Sequence, residues 1–159
     1  MVSASLDMLE ESLVKKLDIM TKIEEENARQ KEILSDPENV DIEAFDKTLD
    51  VKGDYIEQLL ALDDGFQTLF DKVKEEVGIH REDYKDQIKR MQDLIHDVMD
   101  KSASIEAEEH RNKRLAETYF STAREQMSSG KRSASVAFNY YQTMNNFKNI
   151  PPQFMDKKN

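Results

Sequence analysis

Residues Tyr84 to Tyr119 read YKDQIKRMQDLIHDVMDKSASIEAEEHRNKRLAETY. Within this stretch Tyr84, Ile88, Met91, Ile95, Val98, Ser102, Ile105, Glu109, Asn112, Ala116 and Tyr119 recur at alternating steps of four and three. Alternating steps keep one stripe of a helix facing one partner for about five heptads. The stripe predicts a long helix over about 80–128, roughly 70 Å at ~1.5 Å per residue. It turns polar at Ser102, Glu109 and Asn112. That half of the helix is expected to pack less tightly, or to pack something outside the chain.

The same periodicity extends toward the N-terminus. Ile42, Phe45, Leu49, Ile56, Leu59, Phe66, Phe70, Val73 and Val77 predict a helix over about 41–77, with Lys52 and Asp63 standing at two stripe positions. Asp41 suits its N-cap and Gly78 its C-cap. Gly53 and Gly65 fall inside it and weaken it, each by ~1 kcal/mol relative to alanine. Leu6, Leu9, Leu13, Leu17, Met20, Ile23 and Leu34 predict a first helix over about 5–35, capped by Ser5 and stopped at Asp36-Pro37. Short connections make consecutive helices antiparallel. The fold class is all-α: an elongated antiparallel bundle of three long helices over 1–130. A basic, aromatic-rich tail over 131–159 follows, short and either helical or extended.

Composition agrees. Of the 159 residues 38% are hydrophobic and 35% charged, and there are only 4 Gly and 3 Pro, too few turn formers for a β-rich fold. The absence of cysteine excludes disulfides and thiolate chemistry. No run approaches the ~18 apolar residues of a membrane span. Met1 to Asp7 has neither the basic nor the apolar region of a signal peptide, so a cytoplasmic location is expected. The net charge of −10 disfavours nucleic acid as a partner. Lys131, Arg132, Lys148, Lys157 and Lys158 against Asp156 leave the tail at +4, hence the body at −14. Such a tail is drawn back to such a body.

No catalytic or metal constellation emerges, and no cofactor is expected. His80, His96 and His110 read as solvated helix residues, since a di-metal bundle needs two Glu-x-x-His motifs and the chain offers only Asp93-x-x-His96. The runs Glu24-Glu25-Glu26 and Glu108-Glu109 read as a solvated face. Of the methionines, Met20, Met91 and Met99 are assigned to the core, and Met127, Met144 and Met155 to binding. The informative cluster is aromatic. Tyr119, Phe120, Phe138, Tyr140, Tyr141 and Phe147, with Met144, are the candidate partner-binding residues, because large aromatics supply much of the energy at interfaces. Ser128-Ser129-Gly130-Lys131-Arg132 has the composition of a hinge. Val136, Tyr140, Met144 and Phe147 form a tail stripe able to lie along Ser102 to Tyr119.

Several segments carry a family resemblance: Leu62-Asp63-Asp64-Gly65-Phe66, the stretch Tyr84 to Ile95, Asn112-Lys113-Arg114-Leu115-Ala116, Phe138 to Met144, and Pro151-Pro152-Gln153-Phe154-Met155-Asp156-Lys157-Lys158. From about residue 45 to the end, the chain resembles FlgN/FliT-type flagellar export chaperones. The resemblance implies a cytoplasmic type III export chaperone. Its clients would be the terminal helices of hook–filament junction (hook-associated) proteins, delivered to export-gate components, with homodimerisation left open. It also implies that client contacts lie toward the C-terminal half. The competing reading is a coiled-coil spacer or oligomerisation adaptor with no client. A spacer should keep an unbroken apolar seam and needs no aromatic tail.

Overall fold

A computed structural model describes residues 4–124 together with Phe138, Tyr140, Tyr141, Thr143 and Met144. The described chain is helical, without strands. Helix α1 spans Ala4–Ile33, α2 Ile42–Asp64, α3 Phe66–Val77 and α4 Lys85–Arg124, and a 3-10 turn at Arg81–Tyr84 leads into α4. The five described tail positions are helical too.

Three seams with the same alternating step build the core. On α1 the buried residues at these steps are Leu6, Leu9, Leu13, Lys16, Met20, Ile23, Asn27 and Gln30, with Leu34 just beyond its end. Lys16, rather than the half-buried Leu17, occupies the fourth place. On α2 and α3 they are Phe45, Leu49, Lys52, Ile56, Leu59, Phe66, Val73 and Val77. On α4 the seam expected from Tyr84 to Ala116 is buried, except that Ile88 and Ser102 are half-buried. Apolar burial along these stripes is the main stabilising term, roughly 1.5–3 kcal/mol for each fully buried large aliphatic side chain.

Cross-helix bonds fix the directions. Asn27 of α1 meets Lys52 of α2 and Lys16 meets Asp63, so these helices are antiparallel. Glu10 meets Arg90, Glu24 meets Lys101 and Asn27 meets Glu108, so α1 and α4 are parallel. Helix α1 packs along both of the others in an up-down-up bundle.

The punctuation follows the residues. The Asp41 side chain accepts the Ala44 N–H at 3.2 Å as an N-cap. Asp36 accepts the Glu38 N–H at 3.1 Å and the Asn39 amide at 2.8 Å, which shapes the turn before it. Gly78 closes α3 at φ +46°, a left-handed conformation that suits glycine. Gly53 leaves its helix intact, whereas Gly65 (φ −91°, ψ 2°) divides the expected second helix into α2 and α3 without shifting the seam. Ser5 is not a cap. It lies inside α1, buried, and its N–H donates to Glu76 Oε1 at 3.3 Å. Met99, assigned to the core from sequence, is 45% exposed because it stands one position past the seam at Val98.

Candidate functional site

The polar residues of the three seams meet in one layer. Lys52, fully buried on α2, donates to Asn27 Oδ1 at 2.6 Å, Gln30 Oε1 at 2.9 Å and Glu109 Oε1 at 2.7 Å. An ammonium carries three N–H donors, and here each has an acceptor. Asn112, also fully buried, donates to the Asn27 carbonyl at 2.9 Å and to Gln30 Oε1 at 3.1 Å. Asn27 donates to Glu108 Oε1 at 3.0 Å. Residues 109 and 112 therefore face a polar layer of the chain itself, not a loosely packed or vacant stripe. The glutamate runs are not uniformly solvated either: Glu26 and Glu109 are buried, the first paired to Arg29 and the second to Lys52. A second buried pair, Lys16 to Asp63 at 2.8 Å, ties α1 to the end of α2.

The tail completes this layer. Tyr140 is buried, its hydroxyl donates to Glu109 Oε1 at 2.8 Å, and its ring lies over the Lys52 ammonium with 4.2 Å to the centroid. It thus lies in the groove between α2 and α4. Met144 is 2% exposed and joins the same core. Arg124 ends α4 some 15 residues beyond Glu109, a helical rise of ~22 Å, while Tyr140 lies level with Glu109. Two polar atoms of the layer, Glu109 Oε2 and Gln30 Nε2, are buried without a hydrogen-bond partner among the described residues. Such atoms are costly, on the order of 1–3 kcal/mol each.

Burial sets the electrostatics. Desolvation lowers the Lys52 ammonium from 10.5 to about 8, against the opposing pull of Glu109, Glu108 and Glu26. Desolvation also raises the Tyr140 hydroxyl well above its usual value, and the negative charge of Glu109 adds to the rise. Tyr141 is raised by burial and by Glu109 and Glu117. Near neutral pH Lys52 is therefore mostly an ammonium, and Tyr140 is a neutral phenol that keeps its proton for donation to Glu109.

The remaining sequence-derived candidates divide. Phe120 is buried, edge-on to Phe45 at 5.9 Å between centroids and 5.1 Å from the half-buried Tyr119 ring. It belongs to the floor of the bundle at the α4 C-terminal end. Tyr141 is half-buried, edge-on to Tyr140 at 5.3 Å. Phe138 is 66% exposed. Phe147, Val136, Met127, Met155 and the hinge at 128–132 lie outside the described residues. His80, His96 and His110 are exposed, and no cluster of His, Asp and Glu suited to a metal occurs among the described residues. No described helix is long and apolar enough to cross a membrane.

Sequence reasoning missed Lys16, Asn27 and Gln30. Their signal was available: they stand at the 3-4 steps of α1, and Lys52 supplies the charge that answers Glu109. No family model, curated protein or solved structure matches the chain.

Proposed function

We propose that this chain is a cytoplasmic helix-binding protein of the flagellar export-chaperone kind, with a binding role and not a catalytic one. The groove between α2 and α4 is the client site, and the tail occupies it in the client's absence. One observation carries the reading. Tyr140, from a segment joined to α4 by a glycine- and serine-containing stretch, is buried against both Lys52 of α2 and Glu109 of α4, and Met144 is buried in the same core. A detached amphipathic helix presents the same kind of side chains, and an apolar groove is the usual receptor for one. The acidic body also favours a basic occupant. As a spacer, the chain would have no use for a separable aromatic segment.

The test is binding by isothermal titration of the purified terminal helical segments of hook–filament junction proteins to the full chain and to a Tyr140→Ala, Met144→Ala chain. The reading expects binding that tightens in the variant, because self-occupancy lowers apparent affinity by the unoccupied fraction. No binding to either chain refutes the client assignment.

A further inference from the structure

We propose that the Lys52–Glu109 layer is the specificity-determining site of this groove, selecting a partner helix that carries a tyrosine with an aliphatic side chain four residues later. The inference rests on the groove reading above and names the partner's chemistry. It starts from what Tyr140 does in the groove, contacting both walls through different parts of one side chain. Its ring faces the α2 cation at 4.2 Å, and its hydroxyl donates at 2.8 Å to the α4 carboxylate.

Leucine, phenylalanine and charged side chains each fail one half of this match. Leucine at that place would leave the face of the ammonium without a ring and Glu109 with Lys52 as its sole donor. Phenylalanine would keep the cation–π contact and lose the donor. Glu109 already has one buried oxygen without a partner among the described residues, so losing a donor on the other leaves a carboxylate still more poorly compensated. A lysine or arginine could donate to Glu109, but would bring a second cation beside Lys52. An acidic side chain would meet Glu26, Glu108 and Glu109, the carboxylates whose charge already reaches Lys52. Of the side chains compared, the neutral phenol is the one that supplies ring and donor without added charge, and burial holds it neutral. The second contact is apolar: Met144, four residues on and one helical turn away, is almost fully buried in the core. Residues 131–148 contain no acidic residue, in keeping with the carboxylates around the groove.

The experiment uses fluorescein-labelled synthetic peptides spanning residues 131–148, one with the natural sequence and one with Phe for Tyr140. Each is titrated by anisotropy against the full chain carrying Tyr140→Ala and Met144→Ala. The full chain carrying Tyr140→Phe alone serves as a second receptor should the first melt. The natural peptide is expected to bind at least about tenfold tighter, the scale of a hydrogen bond to a charged group. Introducing Glu109→Gln into the receptor should shrink that ratio to about threefold or less, since a neutral amide is a weaker acceptor. Equal binding of both peptides overturns the selectivity and leaves the groove reading standing. An undiminished ratio with Glu109→Gln overturns the assignment of the site to Glu109. Binding of neither peptide overturns the inference together with the groove.

Discussion

Replacing Lys52 with methionine changes volume little and removes one buried charge, so the consequences follow from the layer alone. Glu109 loses its cation and keeps only the Tyr140 hydroxyl, while Asn27 Oδ1 loses its donor. Breaking a buried pair from one side costs about 3–5 kcal/mol. An opposing term is the relief of Lys52's own desolvation. Its descent from 10.5 to about 8 corresponds to roughly 3 kcal/mol of net penalty on the ammonium at about 1.4 kcal/mol per unit. That penalty is already reduced by Glu109, and the orphaned carboxylate and amide remain, so the loss should win. The expected result is destabilisation by about 2–4 kcal/mol. A second change, Glu109→Met, removes the stranded carboxylate and should recover at least half of it, since apolar replacement of a whole buried pair is often neutral. Urea unfolding followed by helical circular dichroism measures both, with a positive coupling of ~1.5 kcal/mol or more across the cycle. The reasoning is refuted if Lys52→Met costs under ~0.5 kcal/mol, or if the double variant is less stable than the single one.

Other predictions follow from the same packing. Ile95→Asp places a charge at a position only 3% exposed and should destabilise by about 4 kcal/mol or more; an unchanged Tm would mean that the α4 register is wrong. Gly53→Ala should stabilise α2 by about 1 kcal/mol, a rise of roughly 2–4 °C in Tm, because the added methyl meets nothing within 4 Å and the helix is unbroken there. Lys52 has its pKa lowered on folding, so the unfolded chain binds more protons between pH 8 and 10.5, and its contribution to stability rises with pH across that window. Tyr140 and Tyr141 are raised, so their contributions are whole below pH 10 and fall away above it. Urea midpoints of the natural chain minus those of Lys52→Met should therefore climb from pH 8 toward pH 10, and a flat difference would contradict the buried ammonium.

The α4 seam was legible because its step never slips over eleven positions, and Asp41 and Gly78 were legible because capping is a local matter. The polar positions were not. Periodicity says that Lys52, Glu109 and Asn112 face inward, but whether such a residue is satisfied depends on what stands opposite, across more than fifty residues of chain in the case of Lys52 and Glu109. Read one helix at a time, Glu109 and Asn112 look like a defect in a seam. Aligned with Asn27 and Gln30 on α1 and Lys52 on α2, they become a hydrogen-bonded layer that apolar neighbours above and below could not tolerate out of register. Lys16 likewise stands inward at the fourth step of α1 only because Asp63 of α2 lies opposite it, beside the more apolar but half-buried Leu17. Of the candidate binding residues, Tyr140 touches both Lys52 and Glu109 and Met144 is buried in the core, while Phe120 packs on Phe45; all three are aromatic or apolar, and only the tertiary arrangement separates them.

Hydrogen exchange along residues 98–120 tests most directly that the tail occupies a groove a partner helix can take. The chain is compared with its Tyr140→Ala, Met144→Ala variant, each alone and with the synthetic 131–148 peptide in excess. Residues 98–120 should exchange faster in the variant, and the added peptide should restore their protection. Exchange that is the same in both chains and untouched by the peptide would contradict that occupancy.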